Sequence, residues 1–321
     1  MPWFSFHFND FAFSFLSILL EGIPFVLLGS LISGFVDVFV SSERMARILP
    51  KSNVAAILLA GLMGLIFPMC ECGSVIVIRR FIKKGLPVSA AITYMLGAPI
   101  VSPIVAVSTF MAFKGQNPEL MTTLRLSLGY GIAVIVGFIV LRIGAARVLQ
   151  PSILGDESAR ARPGLRTAAV PSADDFTATI ESASFGKKIL LAIQSATADF
   201  LDVAFFLIIG AGLASVFNTA VNQAVILPFA TNLPLAILVL MGLAIGLALC
   251  STTDAFIAAT FATFPAEAKL AFLVLGPMLD IKLFWLYGLV FRRRAVLVLA
   301  LGLFVTIFLI CWRIGAIGIW Q

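Results

Sequence analysis

The stretch Phe67 to Ser74 combines two thiols and an acid with helix-breaking residues, inside sequence that is otherwise apolar; it reads Phe-Pro-Met-Cys-Glu-Cys-Gly-Ser. Cys70 and Cys72 suit the capture of a soft, thiophilic species, because thiolates are soft ligands. Glu71 suits a coupling proton or cation. The alternative is that both cysteines are buried as small hydrophobic side chains. Because polar backbone inside a membrane is costly unless it lines a cavity, the break predicts a binding site.

A second polar break, Cys250 to Asp254, offers one thiol, three hydroxyls and an acid. Half-helix ends that meet near a bilayer midplane can direct dipoles and free backbone groups at a substrate. The residues that we expect to bind substrate are Cys70, Glu71, Cys72, Pro99, Ser102, Cys250, Ser251, Thr252, Asp254, Pro277 and Asp280. The sole histidine, His7, lies far from both breaks, so neither break is a closed zinc site by itself. The pattern identifies no metal and no cofactor.

Three further charged residues are candidates for coupling or for lining the cavity. Glu21 and Asp202 stand at matched positions in the first apolar segment of each half, and Lys282 follows the break at Gly276-Pro277. The alternative for the two acids is a position near the membrane interface. Arg125 is expected to extend outward to the interface.

The composition predicts a polytopic α-helical membrane protein. The chain has 321 residues, of which 61% are hydrophobic and 12% charged, and its mean hydropathy is +1.09. Lysine and arginine cluster in short segments between apolar runs, which is how a chain sets its topology, so the net charge of +6 does not indicate a nucleic-acid partner. A Walker-type phosphate loop and a nucleophile elbow are both absent from the sequence, so we expect neither an ATP-driven pump nor an enzyme.

The short apolar segments on either side of Cys70 predict a re-entrant hairpin. Residues 54–67 extend about 21 Å as a helix, too short to cross roughly 30 Å of hydrocarbon. The basic clusters at 44–51 and 79–84 flank the pair of short segments, and a hairpin keeps both in the cytoplasm. Each half then has three transmembrane helices and one hairpin. The alternative topology has eight full crossings.

The two halves repeat at a nearly constant spacing. Cys70 and Cys250 are 180 residues apart, and Pro99 and Pro277 are 178 apart. Because each half makes an odd number of crossings, the second half is predicted to be inverted. We expect a first membrane repeat at 1–149, a cytoplasmic linker at 150–186 and a second repeat at 187–321. The N-terminus is predicted to lie outside the cell, with no removable signal peptide.

Five motifs together resemble the predicted permeases of the YraQ type, relatives of the ArsP organoarsenical efflux permeases. They are Pro68-Met69-Cys70-Glu71-Cys72-Gly73, Gly97 to Pro103, Cys250-Ser251, Asp254-Ala255-Phe256 and Leu275 to Asp280. The resemblance implies a permease of the cell membrane. It also implies that export of trivalent organoarsenicals is the activity of the ArsP branch, with cysteines of the first block involved.

The sequence leaves three functional hypotheses open. The first is a secondary transporter that moves a small thiol-reactive or sulfur-containing substrate by alternating access around the two hairpin tips. The second is a membrane thiol redox relay or enzyme that uses Cys70 and Cys72. The third is a membrane subunit that binds a partner through residues 150–186. The expected partners are the small-molecule substrate, membrane lipid, and either a second copy or an accessory subunit.

Overall fold

The computed structural model describes residues 8–39, 52–66, 69–83, 85–150, 185–220, 227–318 and 320. The helices of the first half are α1 Phe8–Phe39, α2 Asn53–Leu62, α3 Glu71–Lys83, α4 Val88–Gly97, α5 Pro103–Ala112, α6 Pro118–Ile143 and the single turn α7 Ala145–Val148. Those of the second half are α8 Phe185–Ala220, α9 Leu233–Leu247, α10 Asp254–Thr260, α11 Ala266–Leu275, α12 Ile281–Tyr287 and α13 Arg293–Ile317. Two 3-10 segments, Met63–Leu65 and Leu227–Thr231, complete the described elements.

Four of the described helices are long and apolar enough to cross a membrane. They contain the spans Phe8–Phe35, Pro118–Ile143, Gly186–Val216 and Arg293–Ile317. Their outward faces carry many exposed aliphatic and aromatic side chains, as lipid contact requires. The prediction of an all-α polytopic membrane protein is confirmed.

Each half also contains a long element broken in its middle. In the first half, α4 ends at Gly97 and α5 begins at Pro103, whose missing N–H and fixed φ suit the first helical position. Helix α6 passes antiparallel to both pieces, with Gly137 close to Thr93, and Arg125 bonded to Thr109. Helices α4 and α5 therefore run in one direction, as two parts of one crossing.

The chain reverses direction at the first cysteine break. Gly61 near the end of α2 approaches Gly97 at the end of α4, so α2 and α4 run parallel. At the start of α3, the Ser74 hydroxyl lies 3.5 Å from the carbonyl oxygen of Met95, near the end of α4, so α3 runs the other way. Helices α2 and α3 are thus the two legs of a helical hairpin with its tip at the break.

The second cysteine break forms an equivalent hairpin. The side chain of Leu233, at the start of α9, lies near Gly315 together with Glu267 of α11, and Ala244 near the end of α9 approaches Gly276. These contacts make α9 and α11 parallel. A Cβ on Gly276, just after α11, would lie 4.0 Å from the Asp254 carboxylate at the start of α10, whereas the ring of Phe261, just after α10, lies 6.1 Å from that of Phe272, farther back along α11. Helices α9 and α10 therefore run in opposite directions.

The first helices of the two halves, α1 and α8, pack antiparallel along much of their length. A side chain at Gly34 would meet the backbone of Ala192, whereas one at Gly22 would meet Leu207. An inverted repeat requires equivalent helices to be antiparallel, and four full crossings in each half would make them parallel. The packing agrees with the inverted arrangement and disagrees with the alternative of eight full crossings.

The ends of α6 and α12 meet on one face of the molecule. Leu149 and Phe291 form an antiparallel bridge, in which the Arg292 N–H donates to the Val148 carbonyl oxygen at 2.9 Å. The basic residues that follow α6 and α12 therefore lie on the same side. This is the distribution that the clustering of basic residues predicts.

Candidate functional site

The tips of both hairpins meet at one small cavity. Its volume is about 20 Å³, which is room for about one water molecule. Its walls come from four parts of the fold: the first tip, the second tip, helix α12, and the antiparallel pair α1 and α8. The lining residues are Ile18, Gly22, Cys70, Glu71, Cys72, Leu207, Ala248, Cys250 and Lys282.

The first tip presents its thiols at the N-terminus of α3. The Gly73 N–H donates to the Cys70 sulfur at 3.3 Å, so Cys70 caps the helix. Cys72 lies within the first turn, and both cysteines are buried and free of disulfides. Helix α1 approaches very closely here, because a Cβ on Gly29 would lie 3.0 Å from the Gly73 Cα. A helix N-terminus directs its free backbone N–H groups at this part of the cavity, which favours a ligand with partial negative charge.

Lys282 brings a buried positive charge to the same cavity. Its ammonium lies 3.8 Å from Glu71 Oε1 of the first tip and 3.5 Å from Asp280 Oδ2. Asp280 is the N-cap of α12 and accepts the N–H of Leu283 at 2.6 Å, which explains why the helix begins there. A side chain at Gly210 of α8 would collide with Lys282. The lysine is therefore packed against α8 between two carboxylates.

The acid of the second tip is held by the opposite repeat. Arg125 of α6 donates to both carboxylate oxygens of Asp254, at 2.8 and 2.9 Å, and also to the Ser251 carbonyl oxygen and to the Thr109 hydroxyl. Arg125 is completely buried. The expectation that it extends outward to the interface is wrong, because a buried carboxylate supplies a stronger partner than the interface does.

A second cross-repeat pair was not identified from the sequence. Arg80 at the end of α3 binds both carboxylate oxygens of Asp199 in α8, at 2.9 and 3.0 Å, and the Ser33 hydroxyl of α1 donates to the same carboxylate at 2.8 Å. The sequence contains a signal for this pair, because Asp199 is a charged residue inside an apolar helix, three residues before Asp202. Together these contacts tie the returning leg of the first hairpin to α1 and α8.

Four of the remaining predicted residues, whose side chains the structure describes, are not among those that line the cavity. Pro99 and Ser102 lie in the buried break between α4 and α5, where backbone carbonyls on either side of Pro99 pack against Gly64. Thr252 is half-buried in the second tip, and Pro277 is in the break before α12. The side chains of Glu21 and Asp202 lie outside the described part of the structure, as do residues Phe67 and Pro68.

The thiols were also compared with the geometry of a metal centre. In the described ranges, no group of three or more His, Cys, Asp or Glu side chains has the spacing of a metal site. The cavity is lined by three cysteine sulfur atoms, by the buried ammonium of Lys282 and by the buried carboxylate of Glu71. The sulfur atoms can contact a small soft ligand, and the Lys282–Glu71 ion pair can adjust its charge balance when such a ligand binds.

Comparison with known proteins gives matches along nearly the whole chain. Residues 7–315 match the family model ArsP_1, described as a predicted permease. A similar protein is the UPF0718 protein YcgR of Bacillus subtilis (strain 168), 37% identical over 287 residues, covering 89% of this chain and 90% of that protein.

A second relative, from Streptococcus mutans serotype c (strain ATCC 700610 / UA159), is named as a subunit of a two-component membrane permease complex. It is 33% identical over 288 residues, which cover 88% of this chain and 87% of that protein. No solved structure matches the chain. The family match over residues 7–315 and the two relatives show that this chain belongs to the ArsP_1 family of predicted permeases.

Proposed function

We propose that this permease is a secondary transporter for a small thiol-reactive or sulfur-containing substrate, which binds between the two hairpin tips. The observation that carries the proposal is the small cavity that Cys70, Cys72 and Cys250 line together with Lys282 and Glu71. Three sulfur atoms on two tips favour a soft ligand over a hard oxyanion or a sugar. Trivalent organoarsenicals, which the resemblance to ArsP permeases implies, are one such class, and efflux is the expected direction.

The mechanism that we propose is alternating access of the two tips. A cavity of about 20 Å³ is too small for any of these substrates, so the tips must separate before binding. We infer that both hairpins are re-entrant from opposite sides, with membrane repeats at 1–149 and 187–321. The antiparallel packing of the first helices of the two halves supports this inference. The same topology places the N-terminus outside and residues 150–186 in the cytoplasm.

Glu71 is the better candidate of the two tip acids for carrying a coupling proton or cation. Asp254 is engaged by Arg125 through two bonds of 2.8 and 2.9 Å, and breaking them would leave a buried charge unpaired. Glu71 has a looser ion pair with Lys282, 3.8 Å long, and Lys282 keeps Asp280 as a second partner. If Glu71 takes up a proton, the positive charge of Lys282 therefore still has the Asp280 carboxylate as its partner.

The test is transport in sealed vesicles that contain the purified full-length protein. The substrates are trivalent organoarsenicals, thiosulfate-like anions and soft metal ions, each with and without a proton gradient. We expect C70S and C72S to abolish transport, whereas C311S, which changes a buried thiol of α13 outside the cavity, should transport normally. Full activity of the C70S/C72S double variant would refute the thiol role.

Glu71→Gln tests the coupling role separately. We expect this variant still to exchange substrate across the membrane at equilibrium, but we expect a proton gradient no longer to increase its rate of transport. Gradient-driven transport at the wild-type rate by Glu71→Gln would overturn that assignment. Turnover of a thiol substrate in detergent, with no second compartment, would instead favour the redox-relay hypothesis.

We also propose that the permease works with a second membrane component. The support is the Streptococcus relative, which is named as a subunit of a two-component complex. Residues 150–186 are the segment that we expect to bind an accessory subunit. Cross-linking and co-purification from native membranes, with and without that segment, test this proposal, and an unchanged set of partners after its deletion would count against it.

A further inference from the structure

An apolar groove with two arginines at one end separates α6 from α13. Its volume is about 360 Å³. The walls are formed by Ile135, Ile139 and Ile143 on one helix and by Val298 on the other, all of them exposed. The groove faces outward, where a membrane protein meets lipid, so an acyl chain is a natural occupant of its apolar part.

The length of the groove matches one leaflet of a bilayer. Its lining on α6 runs from Ile132 to Ile143, which extends about 17 Å at 1.5 Å per residue. Half of a hydrocarbon core is about 15 Å thick. Gly302 lies in the groove on α13, and a Cβ built on it meets no other atom within 4 Å, so the absence of a side chain keeps the channel open.

Arg147 and Arg294 line the basic end of the groove. Both are exposed, and neither forms an ion pair with another residue in the part of the chain that the structure describes. The bridge between Leu149 and Phe291 fixes the two segments that carry them. This end belongs to the face where basic residues cluster, which is the predicted cytoplasmic face.

We propose that this groove, between α6 and α13, binds an anionic phospholipid of the inner leaflet. The phosphate is held by Arg147 and Arg294, and one acyl chain lies along the apolar walls. Charge complementarity selects an anionic headgroup, since guanidinium groups bind phosphate strongly and the cytoplasmic leaflet supplies anionic lipid. The site is separate from the cavity between the hairpin tips and does not depend on the transported substrate.

The experiment is a lipid titration of the purified, delipidated full-length protein, followed by native mass spectrometry. Phosphatidylglycerol is compared with phosphatidylcholine of the same acyl chains. We expect the anionic lipid to bind more tightly, and R147Q/R294Q to weaken its binding about 30-fold, equivalent to ~1 kcal/mol for each arginine. The matched control R142Q/R293Q removes the same charge from the same face outside the groove and should bind like the wild type.

Gly302→Leu tests the apolar part of the site. The new side chain projects into the open groove without meeting protein, so it should block the acyl chain while leaving the helical circular dichroism unchanged. Gly131→Leu, at another helical glycine with open space around its Cβ, is the control and should bind normally.

Three results would overturn the proposal. The first is equal binding of phosphatidylcholine and phosphatidylglycerol by the wild type. The second is an equal loss in the two double-arginine variants. The third is a dimer mass that disappears with Gly302→Leu, because a second copy of the chain would then be the occupant of the groove.

Discussion

Replacing Arg125 by methionine removes the only cation that the structure places on the Asp254 carboxylate among the described residues. The side chains of both residues are buried, with exposed fractions of 0% and 2%. Loss of one partner of a buried ion pair costs about 3–5 kcal/mol, because the other charge remains without compensation. The Ser251 carbonyl oxygen and the Thr109 hydroxyl also lose a charged donor. We therefore expect a loss of unfolding free energy near the upper end of that range.

The assay is a double-mutant cycle measured by denaturant unfolding in mixed micelles, with helical circular dichroism as the signal. The variants are Arg125→Met, Asp254→Leu and the two together. Replacement of both partners by apolar side chains of similar size is often neutral or stabilising, so the double variant should recover most of the loss. A coupling free energy above about 2 kcal/mol is expected.

The Arg80–Asp199 pair provides the comparison for this cycle. Arg80→Met leaves the Asp199 carboxylate with the Ser33 hydroxyl as a remaining donor, and the Arg80 side chain is 17% exposed, so the loss should be smaller. An Arg125→Met loss of unfolding free energy below about 1 kcal/mol would show that the ion pair with Asp254 does not have this weight. Additive effects of Arg125→Met and Asp254→Leu would show the same.

Three further outcomes are expected. Lys282→Met should reduce transport about 100-fold in the vesicle assay, because a hydrogen bond to a charged group contributes on the order of 1.5–3 kcal/mol. Near-normal transport by this variant would contradict a role for Lys282 in the cavity. Gly34→Ala would bring a Cβ into collision with the Ala192 carbonyl oxygen, so thermal unfolding should show a loss of about 1–3 kcal/mol. An unchanged melting temperature would count against the packing of α1 on α8. A cysteine in place of Gln150 and one in place of Arg293 should each react with an impermeant maleimide only after permeabilisation of the cells. Labelling of the two cysteines from opposite sides of the membrane would contradict the pairing of the chain ends that follow α6 and α12.

Several features of the fold could be predicted from short-range patterns. The apolar lengths and the two cysteine breaks indicated short helices on either side of Cys70 and Cys250, and the structure has them. The near-constant spacing of the halves indicated a repeat, and the odd number of crossings in each half indicated its inversion, which agrees with the antiparallel packing of α1 and α8. Such features depend on helix geometry, hydrophobicity and charge clustering, which are local properties of the chain.

The candidate site was predictable only in part. Cys70, Glu71, Cys72, Cys250 and Lys282 do meet at one cavity, as a site between two hairpin tips requires. Sequence reasoning grouped Asp254 with them because it shares a tip with Cys250. It could not show that this acid is engaged by a buried arginine from the other repeat.

The class of protein, the helix lengths and the positions of the breaks could be read from the chain alone, because each follows from the residues within a few helical turns. Which charges pair depends on how the helices pack. Arg125 and Asp254 are 129 residues apart, and Arg80 and Asp199 are 119 apart. A buried charge takes the partner that folding brings within hydrogen-bond distance, and such a distance between helices of different repeats is not encoded by local pattern. Among the residues that the structure describes, the packing of the two repeats therefore leaves Glu71 and Lys282, rather than Asp254, as the charged groups that line the cavity.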